Sequence, residues 1–115
     1  MDPRYEALAA NVASHSTKLE KGEKALIHAF DVPHEMTLAL VRAVRARGAI
    51  PFVQLQNARI DREWVLGGPD EQFEAALSWE MDRMKGMDAY IALRGAQNVF
   101  ETSDLPQEDL KKAIR

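Results

Sequence analysis

A zinc hydrolase of the His-Glu-x-x-His type needs two imidazoles one helical turn apart, and His34-Glu35-Met36-Thr37-Leu38 supplies only the first. Leu38 stands where the second ligand belongs, so the segment reads as the start of a helix and not as a metal site. A phosphate or dinucleotide site after the first strand would need glycines and free backbone N–H groups at a helix amino end. The residues there are Phe30-Asp31-Val32-Pro33-His34, and Asp31 would repel a phosphate; it reads instead as the cap of the following helix. Ser14, Ser16, Ser78 and Ser103 lack the Gly-x-Ser-x-Gly setting that exposes a nucleophile.

The polar residues that remain fall in three groups. Arg94-Gly95-Ala96-Gln97-Asn98 follows an apolar run, so Arg94, Gln97 and Asn98 belong to a loop at a strand's carboxyl end, where ligands and partner domains gather in open α/β sheets. Glu80 falls between Leu77 and Met84 on the apolar stripe of a helix, which aims a carboxylate at the core or its margin and requires a partner. His15, on the apolar face of the first helix, is the candidate mate; without a second acid or a metal set, a general-base role for Glu80 has little support. Trp64 and Trp79 are the candidate interface residues, Trp79 because it points away from that stripe and Trp64 because it sits in a poorly patterned connection.

The elements that must position these residues follow from periodicity. Tyr5, Leu8, Val12, His15 and Leu19 recur at helical spacing, and Gly22 ends that first helix. Residues 23–30 form a first strand. Pro33 opens a second helix with Met36, Leu40 and Val44 buried and Leu38 and Val41 widening the stripe, stopped at Gly48. Residues 50–55 form a second strand, and Pro51 places it at a sheet edge. A short helix over 61–66 precedes the breaker Gly67-Gly68-Pro69. A longer one, capped by Asp70 and running to Met84, buries Phe73, Leu77 and Met84. Residues 89–93 form a third strand covered on both faces, and a last helix starts near Leu105-Pro106. This alternation predicts an α/β fold, a small parallel sheet of three strands in the order 2-1-3 with helices on both faces. Its open edges suggest part of a larger sheet in a parent protein, with residues 1–115 as the amino-terminal domain.

Composition narrows the partners. The chain has 115 residues, enough for one domain, with 15 basic and 18 acidic side chains and a net charge of -3. That balance gives no electrostatic reason to expect nucleic acid or an anionic membrane. Arg42, Arg45 and Arg47 cluster at a predicted helix end, where cations complement the carbonyl dipole. Cysteine is absent, which rules out disulfides and thiolate ligands and fits a reducing cytoplasm. No run approaches the roughly 20 apolar residues of a membrane span, and Met1-Asp2-Pro3-Arg4 does not open a signal peptide. A cytoplasmic protein is expected.

Several segments, in order, carry a family resemblance. They are Met1-Asp2-Pro3-Arg4-Tyr5-Glu6-Ala7-Leu8-Ala9, Gly22-Glu23-Lys24, Ala29-Phe30-Asp31-Val32-Pro33, Arg47-Gly48-Ala49, Pro51-Phe52-Val53-Gln54-Leu55, Trp79-Glu80, Met87-Asp88-Ala89-Tyr90-Ile91 and Arg94-Gly95. Together they resemble the thermophilic metallo-aminopeptidase family of the aminopeptidase T and aminopeptidase S type. The resemblance implies a parent hydrolase, a homodimer that removes amino-terminal residues from peptides with two divalent metal ions of the zinc or cobalt type. Its metal ligands are Glu, His and Asp side chains of the carboxyl-terminal portion, and no position here matches them. The resemblance therefore implies an amino-terminal domain, inactive alone, partnered by the carboxyl-terminal catalytic domain. It would shape the cleft, which Arg94, Gln97 and Asn98 would face, and supply domain or dimer contacts. The rival expectation is a stand-alone α/β binding or interaction module that has lost the catalytic half. A phosphoacceptor receiver domain is excluded, because the third strand ends in Leu93-Arg94-Gly95 where an Asp is required.

Overall fold

Alternation along the first strand decides the architecture. The computed structural model describes residues 3–95 and 99–104. In strand β1 (Lys24–Phe30), Ala25 and Ile27 join one buried cluster while Leu26 joins another on the opposite face. Parallel strands β2 (Ile50–Gln56) and β3 (Ala89–Arg94) flank it, giving the expected order 2-1-3. A fourth strand, β4 (Val99–Asp104), pairs antiparallel with β3 and was not expected from the sequence. Strand β2 lies at the sheet's edge, where Pro51, with no N–H to donate, is accommodated. The last expected helix lies outside the described residues.

Helices α1 (Pro3–Asn11) and α2 (His34–Ala46) cover the Ala25/Ile27 face. Leu40, Val44, Ile27, Ile91 and Leu93 are fully buried there. Helix α1 passes directly into a π-helical turn, Val12–Ser16, marked by Thr17 N–H donating to the Val12 carbonyl at 3.0 Å. The wider turn shifts the buried face to Ala9, Val12 and Ala13, and His15 rotates out to solvent. The expectation of a buried His15 is thereby corrected. Leu8 is exposed as well, and Leu38 of α2 is exposed because Thr37 and Ala39 take the inner positions.

Two further helices link β2 to β3. Asn57 caps α3 (Ala58–Val65), its side-chain oxygen accepting from the Arg59 and Ile60 N–H groups at 2.9 and 3.1 Å. Asp31 serves the same junction. Its backbone is left-handed (φ 51°), and its carboxylate accepts from Asn57 Nδ2 at 2.8 Å and Ala58 N at 3.1 Å. It therefore does not cap α2, whose N-cap is Pro33; the orphan N–H groups of α3 lie within its reach instead.

Helix α4 (Asp70–Lys85) begins after Pro69 and crosses the other sheet face, where Leu26, Met84, Tyr90 and Ala92 form a small second cluster. Of α4 only Met84 is buried; Phe73 packs edge-on against Trp64, and Leu77 is 48 % exposed. The expected Phe73–Leu77–Met84 stripe is therefore not a single buried stripe. At the far end of β3, Gly95 N–H donates to the Phe30 carbonyl at 2.7 Å, and a Cβ there would lie 1.8 Å from the Asp31 carbonyl oxygen. No side chain fits, which accounts for the glycine after Arg94.

Candidate functional site

On the α4 face the strand register stacks three rows. Leu26 aligns with Phe52 and Tyr90, His28 with Gln54 and Ala92, and Phe30 with Gln56 and Arg94. Two of the three rows carry polar side chains where a sheet face covered by a helix would ordinarily be apolar. Between them and α4 lies a cavity of about 280 Å³ that Glu80 and Arg83 of α4 also line.

A chain of hydrogen bonds runs through this face. Tyr90 Oη and His28 Nδ1 are 2.7 Å apart, His28 Nε2 bonds Gln56 Oε1, and Gln56 Nε2 donates to Asp61 Oδ2 at 2.6 Å. Gln56 turns its NH₂ toward the Asp61 carboxyl oxygen and its carbonyl toward His28. His28 must then carry its proton on Nε2, and in the neutral ring Nδ1 accepts the Tyr90 hydroxyl proton. Every donor in the chain points toward the carboxylate.

The electrostatics keep His28 neutral. Burial lowers its pKa from the ordinary imidazole value, the bond to Gln56 works against that, and the nearby Arg83 and Arg94 charges lower it further. Arg83 is held over the sheet by Nη1 donating to Gln54 Oε1 at 2.9 Å. The Arg94 guanidinium lies 4.7 Å from the Phe30 ring centre, and Phe30 in turn stacks on His28 with centroids 4.0 Å apart. Glu80 is half-buried at the same cavity; burial raises its pKa, with Arg83 opposing.

A second cavity opens at the carboxyl ends of β1 and β2, between Asp31, His34, Asn57 and Asp61. It is the crevice where α/β proteins hold anions, but the N–H groups of α3 that could serve one are already taken by Asn57 and Asp31. Among the described residues no group of three or more His, Asp or Glu side chains could hold a metal ion. The paired metals implied by the family resemblance therefore do not fit the described residues, and no hydrolytic step is assigned to them. No helix among the described residues is long and apolar enough to cross a membrane.

The residues singled out from the sequence are scattered. Arg94 and Glu80 meet at the cavity. Gln97 and Asn98 lie outside the described residues. His15 belongs to the elements on the opposite sheet face and cannot be the partner of Glu80, whose nearest charge influence is Arg83. Trp64 is 46 % and Trp79 71 % exposed. Sequence reasoning passed over His28, Gln54, Gln56, Arg83 and Tyr90. The available signal was the period of two in Leu26, His28, Phe30 and again in Phe52, Gln54, Gln56.

Fold and site together define an α/β domain with one sheet face sealed by helices and the other holding a polar cavity. Wild-type AmpT from Thermus thermophilus is a solved structure similar to it, with a TM-score of 0.63 and 20 % sequence identity over 98 % of this chain. The likeness is one of fold, and this chain spans 30 % of the AmpT chain. No protein-family model and no curated protein matches the sequence.

Proposed function

We propose that this chain is the amino-terminal α/β domain of a metal-dependent aminopeptidase, a domain that shapes the substrate cleft and supplies domain or dimer contacts while the metal ligands reside in a carboxyl-terminal part. The observation that carries this reading is the AmpT likeness, which takes in nearly all of this chain and less than a third of the other. The colinear segments of the family resemblance support it independently. So do the exposed large apolar side chains Leu55, Ile60, Trp64, Leu66 and Trp79. On this reading Trp64 and Trp79 belong to a contact with the catalytic part or a second subunit, and Arg94 reaches the cleft edge.

The test is release of leucine from leucyl peptides with added cobalt or zinc, comparing the 115-residue chain with the product of the complete reading frame. Turnover by the longer product alone is expected. Turnover by residues 1–115, or none by a longer product, overturns the proposal. A stand-alone binding module is the second reading, favoured by a cavity whose walls are supplied by this chain. A reading frame that stops after Arg115 would decide for it.

A further inference from the structure

We propose that the cavity between α4 and the sheet binds a free α-amino acid with an apolar side chain. Its carboxylate would meet Arg83 and Arg94, its ammonium Glu80, and its side chain the Leu26, Phe30 and Met84 wall. This goes beyond the aminopeptidase reading and does not depend on it, because the residues involved all belong to this domain.

The cavity lining carries both signs of charge, Glu80 against Arg83 and Arg94. Glu80 and Arg83 are three residues apart on α4, so their side chains leave the same helix face about 5–6 Å apart at Cβ. That spacing suits a head group whose ammonium and carboxylate are borne by one carbon. Arg83 is fixed by its bond to Gln54, which spends one of five N–H donors and orients the rest. Arg94 brings a second guanidinium to the same cavity, held on the Phe30 ring. A bare dicarboxylate or phosphate would place negative charge against Glu80, and an amine alone would face two guanidiniums. A zwitterion satisfies both.

The remaining walls favour an aliphatic body. Leu26 and Met84 are buried, and Phe30 packs beside them. The cavity of about 280 Å³ falls just below the range of drug-sized ligand sites, which begins near about 300 Å³, and so suits a small occupant. Burial raises the pKa of Glu80 and Arg83 opposes it, so an ammonium beside the carboxylate would add to the compensation that Arg83 already gives.

Calorimetric titration of the 115-residue chain tests this with three probes of one shape: L-leucine, 4-methylpentanoate without the amine, and 3-methylbutylamine without the carboxylate. Saturable leucine binding, with both single-headed analogues weaker by about tenfold or more, is the expected result. Glu80→Gln should erase the preference for leucine over 4-methylpentanoate, and Arg83→Gln should weaken both, with circular dichroism confirming that each variant folds. Equal binding of leucine and 4-methylpentanoate overturns the proposal in favour of a simple carboxylate site. It is also overturned if no probe binds in the millimolar range, or if leucine binding survives Arg83→Gln unchanged. The analogue comparison requires no variant, so it stands even where a substitution unfolds the chain.

Discussion

The two faces of the sheet are built from the same strands and do opposite things. Toward α1 and α2, β1 and β3 present Ala25, Ile27, Ala89, Ile91 and Leu93, and the helices answer with Leu40, Val44 and Val12. Toward α4 they present Leu26, His28, Phe30, Tyr90 and Arg94, and α4 answers with Met84, Arg83 and Glu80. Each fully buried aliphatic side chain on the first face contributes about 1.5–3 kcal/mol, whereas a hydrogen bond on the second contributes about 1 kcal/mol net. Stability is therefore concentrated on one face, which leaves the other free to carry groups chosen for what they bind.

The largest expected effect breaks that contrast directly. Leu40→Ala should cost about 2–5 kcal/mol in urea unfolding, because the site is fully buried and the cavity left behind cannot collapse. Leu77→Ala, on the exposed side of α4, should change stability by no more than about 0.5 kcal/mol. Comparable losses at the two sites would mean that the α4 face is as tightly closed as the other.

A smaller effect separates the faces by pH. The folded-state pKa of His28 is depressed, so between that value and the ordinary one near about 6.5 the unfolded chain binds more protons than the folded one. Stability is then full above the ordinary value and falls as pH drops toward the folded one. Urea midpoints between neutral and mildly acidic pH should show this slope in the native chain and a shallower one in His28→Asn. Identical slopes would remove the neutral imidazole, and with it the oriented Tyr90–His28–Gln56–Asp61 chain, as the source.

The sealed face was the legible one. Short apolar runs at 25–29 and 89–93, with Pro33 and Gly48 framing a helix between strands, are local signals, and the parallel order follows from crossover chirality. The open face was not legible, because its logic is long-range. His28 sits inside an apolar run, and its partners Gln56 and Tyr90 are 28 and 62 residues away. Strand β4 escaped for a related reason: Glu101, Thr102, Ser103 and Asp104 form a polar run without alternation, and the strand is defined by its register against β3. His15 was misplaced by a single π-turn, whose extra residue no helical period anticipates.

The smallest expected effect bears most directly on why the open face is polar. Burial raises the folded-state pKa of Glu80, so the folded chain holds that proton more tightly than the unfolded one. Its contribution is most favourable below the ordinary carboxylate pKa and is lost as pH rises through the folded value, leaving a cost at neutral pH. Glu80→Gln keeps the shape and removes the charge, so the variant should be slightly more stable than the native chain at neutral pH. The difference should shrink as the native carboxyl becomes protonated, and solvent and Arg83 keep it small because the group is only half-buried. Adding leucine should reverse the order, since a ligand held partly by Glu80 stabilises the native chain more than the variant. A Glu80→Gln chain that remains the more stable of the two at saturating leucine would show that this carboxylate serves the fold and not a ligand.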